Sequence, residues 1–275
     1  MVSGTAEGKF DPLSPQRPQS NLPPKSWLSS KNCQVAGEAC ILQRRYQRYA
    51  IYWTPPAESA LAKFGALWFG GLSAFGVAPQ LAQRAIAAPA LYGIHATFKA
   101  PFRLRDGVRL EALCDALDAF CARRRAPRPG RLIMGDHQRY LTLMLDKEAD
   151  VDWLGAECVT HFDRFRAPLN EEDKKRRELA GMSAREEIFL AEFGYPYVLS
   201  AFRFHISLAG YLEKAELDEA ATALAPHLDT VLSEPFEIED LTLLGEPRNG
   251  GVFEEITRHP FGPHLKSESV LRRIS

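Results

Sequence analysis

Two short runs constrain this chain more than anything else in it: residues 91–102, "LYGIHATFKAPF", and residues 200–211, "SAFRFHISLAGY". Side chains of a strand alternate between the two faces of its sheet, and both runs keep that period. In the first, Gly93, His95, Thr97 and Lys99 share one face, against Tyr92, Ile94, Ala96 and Phe98 on the other. In the second, Arg203, His205 and Ser207 stand against Phe202, Phe204, Ile206 and Leu208. Each run therefore reads as a strand with one apolar face for a core. The opposite face carries an imidazole, a hydroxyl and a cation, which is not how a packed sheet face usually looks.

The chemistry that fits such a face is phosphoryl or phosphodiester chemistry. An imidazole titrates near neutrality and serves as acid or base. A neighbouring hydroxyl can donate to a phosphate oxygen, and a cation such as Lys99 or Arg203 offsets charge developing on phosphorus. Two such units facing one another would supply a base, an acid and a cradle of donors without a metal. A lone His-x-Thr in a strand is ordinarily structural; two in matched settings outweigh that reading.

The rest of the chain supplies an α+β frame. Residues 1–43 are rich in Pro, Ser, Gln and Gly, lack hydrophobic periodicity, and read as a disordered extension. Order begins at "RRYQRYAIYW", where Tyr49, Ile51 and Trp53 alternate as in a half-buried strand, followed by a helix that Pro55, Pro56 and Glu58 open. Leu110, Leu113, Leu117 and Phe120 recur at helical spacing after Asp106-Gly107. "RYLTLMLDK" reads as a strand, and 151–164 as a helix. The charged segment 168–194 reads as a helical insertion broken at Gly181, with capping-box spacing from Ser183 to Glu186. A helix over 213–233 and two strands around an Asn249-Gly250 turn close the domain, taken as 44–264, before a tail at 265–275. Each His-x-hydroxyl strand leads into a helix, so two similar halves are expected.

Thirty-four Lys plus Arg against thirty-five Asp plus Glu leave a net charge of -1, which argues against a sequence-independent grip on nucleic acid or an anionic membrane. No run reaches the roughly 18 apolar residues of a membrane span, and five cysteines without a CxxC pair point to a reducing compartment, most simply the cytoplasm. Cys114 and Cys121 are expected on the buried face of one helix.

"YGIHATFKAPF", "FDRFRAPL", "GYPYV" and "FRFHISLAG", in that order over residues 46–264, resemble the 2H phosphoesterase superfamily, and within it the phosphonate-metabolism-associated DUF1045 branch. The resemblance implies a bilobal α+β fold: two antiparallel-sheet lobes related by a pseudo-two-fold axis, with a cleft between them. It implies that His95 and His205 face each other across a bound phosphate, with Thr97 and Ser207 on its oxygens. It implies opening of a cyclic phosphodiester, such as a 2′,3′-cyclic nucleotide, without metal or cofactor. Association with phosphonate operons suggests a small phosphorylated ribose compound as substrate. Two other readings stay open: an RNA-end-processing enzyme with a basic strip at its cleft, and a non-catalytic sensor of a phosphorylated metabolite.

Arg166, Tyr195 and Tyr197 flank the insertion and read equally as cleft residues or as structural ones; Tyr52 is a further cleft candidate. The basic run "ARRRAPRPGR" (122–131) reads as a solvated helix end. His137, His161, His227, His259 and His264 have no metal-ligand spacing, and "HPFGPH" reads as a C-terminal loop.

Overall fold

A computed structural model of the chain describes residues 43–262 apart from 72–74, 129, 148 and 178–180. Expectations placed on residues 1–42 and 263–275, among them the N-terminal extension, the tail, Cys33, Cys40 and His264, lie outside the described residues. Seven strands form one antiparallel sheet: β1 (Tyr46–Trp53), β2 (Ala96–Phe102), β3 (Leu132–His137), β4 (Tyr140–Leu145), β5 (His205–Tyr211), β6 (Asp240–Pro247) and β7 (Glu254–Pro260), in the order β3-β4-β5-β2-β1-β6-β7. Among the described residues these helices accompany it: α1 (Ala60–Phe69), α2 (Pro79–Ile86), α3 (Leu110–Ala122), α4 (Ala149–Phe162), α5 (Glu171–Arg177), α6 (Ala184–Phe193) and α7 (Lys214–Ser233).

The order repeats itself. Strand β1, helices α1 and α2, then β2, α3 and β3 make one unit, and β4, α4, β5, α7 and β6 make the other, with β7 added at the edge. A two-fold axis between β2 and β5 exchanges β1 with β4 and β3 with β6, so the sheet consists of two lobes that meet where β2 pairs β5. The halves also exchange helices. Helix α2 packs on β5 and α4 on β2, while α3 covers β6 and β7 and α7 covers β3 and β4.

Local chemistry explains most boundaries. Helix α1 starts later than Glu58 suggested, because the Ser59 hydroxyl caps it by accepting from the Ala62 N–H at 3.1 Å. Helix α6 opens with the expected Ser183–Glu186 capping box. On α3, Leu110, Leu113, Cys114, Leu117, Phe120 and Cys121 are all buried, so the two cysteines act as small apolar residues. Two arginines of the basic run after α3 pair locally: Arg124 donates to Glu157 and to the Phe120 carbonyl, and Arg128 to Asp150.

Three expectations are corrected. Strand β1 is buried on both faces: Tyr49, Ile51 and Trp53 enter the main core, and Ala50 and Tyr52 join a second cluster with Leu244 and Phe253. Strand β3 is an element that the sequence did not announce. It enters its hairpin through Gln138 (φ 51°) and Arg139 (φ 67°), both left-handed without being glycine, so the usual turn signal is missing. His259 belongs to β7, not to a loop; it is 2% exposed and held between Asp118 and the Thr257 hydroxyl, each at 2.6 Å. Among the described residues no helix is long and apolar enough to cross a membrane.

Candidate active site

The registered pair joining β2 to β5 is Ala96–Ile206, both buried in the main core. Continuing that antiparallel register sets His95 opposite Ser207 and Thr97 opposite His205. The two His-x-hydroxyl units are thus related by the pseudo-two-fold axis. Opposed side chains on one sheet face stand about 5 Å apart at Cβ.

Both imidazoles are held alike. Nδ1 of His95 lies 3.0 Å from the Gly93 carbonyl oxygen, and Nδ1 of His205 lies 2.8 Å from that of Arg203. A carbonyl only accepts, so each Nδ1 carries the hydrogen and each Nε2 keeps its lone pair. Neither Nε2 has a hydrogen-bond partner among the described residues. Gly93 bends its carbonyl into place from φ +69°, a conformation open to glycine at little cost. Gly65 lets α1 close on the same segment, since a Cβ there would stand 2.2 Å from Ile94 Cγ1.

Thr97, His205 and Ser207 line a cleft of about 500 Å³ together with Tyr195, Tyr197 and Arg203. The insertion carrying α5 and α6 precedes Tyr195 and supports it: Arg177 donates to the Gly194 and Pro101 carbonyls and stands 5.7 Å from the centre of the Tyr195 ring. Tyr52 stacks on His95 with ring centres 4.4 Å apart, and Tyr92 adds a second ring at 5.4 Å.

His95 and Tyr52, the latter 1% exposed, are not among the residues lining this cleft, and two predicted residues fall elsewhere altogether. A β-bulge sets Tyr52 opposite Thr97 but Ile51 opposite Lys99, which takes Lys99 off the Thr97 face. Its ammonium is buried against Asp163 Oδ1 at 3.2 Å. Arg166 holds the same carboxylate through two nitrogens and donates to the Glu192 carbonyl, fastening the insertion to α4. Neither lines the histidine cleft. His137 and Gln138, by contrast, do line it without having been singled out, and the His137 ring centre is 5.5 Å from that of His205. Their signal was hidden with the strand β3 that carries them.

Burial pulls the His95 imidazole down to about 4; the Gly93 carbonyl opposes this and charge on His205 adds to it. His205 and His259 are lowered as well, burial again leading. Over the window from about 6.5 down to 4 the unfolded chain binds protons that the folded chain refuses. Stability measured by urea unfolding is therefore expected to fall as pH drops through that window, by up to about 1.4 kcal/mol per pH unit for His95, with His205 and His259 adding in the same direction. A flat profile would mean that these rings are not desolvated in the fold.

No group of three or more His, Cys, Asp or Glu side chains among the described residues is placed to hold a metal ion.

An antiparallel sheet built of two such units, with a His-x-Ser/Thr pair on each central strand, has the architecture of the 2H phosphoesterase-like class. More narrowly, the chain belongs to the family described as "Protein of unknown function (DUF1045)", whose model matches residues 97–254. Among curated proteins it is 35% identical over 229 residues to the ribose 1,5-bisphosphate phosphokinase PhnN of Janthinobacterium sp. (strain Marseille), covering 78% of this chain and 51% of that protein. The PhnN of Laribacter hongkongensis (strain HLHK9) is 31% identical over 215 residues, covering 75% and 50%. The chain thus spans about half the length of the curated relatives it matches. Among solved structures it is similar to E. coli LigT complexed with NADP+, at 16% identity and a TM-score of 0.41, over 80% of this chain and 99% of that one. For Kluyveromyces marxianus Usb1 the values are 10%, 0.38, 79% and 99%.

Proposed function

We propose that the chain is a metal-independent phosphodiesterase that opens a small cyclic phosphodiester, of the ribose cyclic phosphate or 2′,3′-cyclic nucleotide class. The observation that carries this is the matched pair of imidazoles, each fixed at Nδ1 by the carbonyl two residues before it, each with a free Nε2. In the reaction a water oxygen attacks phosphorus as His95 Nε2 takes its proton. The phosphorus–oxygen bond to the ring alkoxide breaks, and protonated His205 gives its Nε2 proton to that oxygen. The product is a monoester, and the two histidines exchange protonation states before the next turnover. His95 suits the base because burial keeps it neutral. Thr97 and Ser207 donate to the phosphate oxygens, and Arg203 supplies positive charge at the cleft.

The activity for which the half-matched relatives are named narrows the substrate. Opening a cyclic phosphate on a phosphorylated ribose yields a ribose bisphosphate, the class of compound those kinases are named for, so a ribose cyclic phosphate is the preferred member of the class. The pairing of Arg124 with Glu157 and of Arg128 with Asp150 takes two charges of the basic run from RNA.

The test is phosphorus NMR of the protein with ribose cyclic phosphates and 2′,3′-cyclic nucleotides in excess chelator. One cyclic signal is expected to give way to a monoester. Since His205 must be protonated and its proton affinity is lowered, kcat/KM should rise as pH falls from 8 toward 6. Turnover that stops with chelator, or a rate that climbs toward alkaline pH, would sink this mechanism.

A further inference from the structure

The two halves match where a phosphate would sit and differ beyond it. Opposite Thr97 stands Tyr52, and beyond it Thr242; opposite Ser207 stands Thr142, and beyond it Gly135. On the His95 side, Tyr52, Tyr92 and Phe253 close an aromatic wall, with Tyr92 and Phe253 ring centres 5.1 Å apart. On the His205 side Thr142 stands where Tyr52 does and Gly135 where Thr242 does, and the cleft runs on to His137, Gln138 and Arg203. A ligand held between the histidines can therefore extend only toward His205.

There it would meet Tyr140, Tyr195, Tyr197 and Phe202 and, beside them, a set of donors. Arg203 spends Nη1 on the Ser200 and Phe202 carbonyls and makes no ion pair within 4 Å among the described residues, although its charge is felt by the Asp152 carboxyl. Glu186 also lines the cleft, but its carboxylate accepts from the Ser183 N–H at 2.7 Å and hydroxyl at 2.8 Å. The backbone is strained at this end as well. Gln138, Arg139 and Leu199, the non-glycine residues with positive φ among those described, flank His137 on one side and the approach to Arg203 on the other. Such strain persists where the surroundings over-determine a geometry, most often at ligand sites.

The geometry points to a second anion subsite formed by His137, Gln138 and Arg203, and so to a substrate carrying a second phosphate besides the one between the histidines. This rests on the proposed reading for the seat of the first phosphate. It makes a phosphorylated ribose cyclic phosphate the better ligand, and an unphosphorylated nucleoside cyclic phosphate the poorer one.

Calorimetric titration of the whole chain with ribose 1,5-bisphosphate and with ribose 5-phosphate tests it. The wild type is expected to prefer the bisphosphate by at least about tenfold, the scale of one charge-assisted hydrogen bond. His137→Ala and Arg203→Ala, each checked for an unchanged unfolding midpoint, should cut that preference below about threefold. No preference in the wild type, or a preference surviving both substitutions, overturns the subsite. Neither compound contains a phosphodiester, so the two readings fail separately. Preference without turnover of any cyclic ester keeps the subsite and removes the hydrolase; turnover without preference does the reverse.

Discussion

Replacing His95 or His205 with alanine is expected to slow cyclic phosphodiester opening by at least about a hundredfold, the usual contribution of one positioned acid or base. The double variant should be little slower than the slower single one, because both rings act on one transition state and neither works alone. The fold should survive. His205 is partly exposed and leaves a small gap, whereas His95 gives up its stack on Tyr52 and should cost more stability. Rates compared by phosphorus NMR, alongside unfolding midpoints, check both statements. A single variant keeping more than a tenth of the wild-type rate would show that its imidazole is packing and not chemistry.

The largest stability effect is expected at Asp163. One carboxylate there serves the Lys99 ammonium and the Arg166 guanidinium. Burial alone would raise this carboxyl, but the Arg166 hydrogen bond and the Lys99 charge outweigh it and hold it below the ordinary carboxylate range. Asp163→Ala leaves two cations facing each other, one of them buried, and should cost about 3–5 kcal/mol. Lys99→Met should cost far less, or even stabilise, because a similar-sized apolar side chain fills the site and Asp163 keeps Arg166. Urea unfolding of the two variants decides the point; equal losses would mean that Lys99 is not desolvated.

Much of this architecture was legible because local and global signals agree. The two histidine strands alternate cleanly, the Asn249-Gly250 turn places Gly250 at φ 76°, and the Ser183 capping box forms as its spacing requires. What stayed hidden did so for identifiable reasons. Lys99 shares the parity of Thr97 in the sequence, and one bulged residue cancels it. Gln138 and Arg139 adopt a turn that usually calls for Asn-Gly, so β3 carried no boundary, and without its strand His137 was one unassigned histidine among several. Arg166 read equally as a cleft residue or a structural one, and its partner Asp163, three residues away, draws it out of the cleft.

The exchange of helices between the halves has a consequence for how such a chain could have arisen. Half a molecule, β1 through β3, would present the apolar side of β2 without α4, and its own α2 without the strand it rests on. It has no complete interior until a second half supplies one. An ancestral half-length product would thus have had to pair with a copy of itself, placing two identical histidines about the dyad. Only fusion into one chain frees the two sides to diverge, so that one wall closes in aromatics while the other opens to solvent.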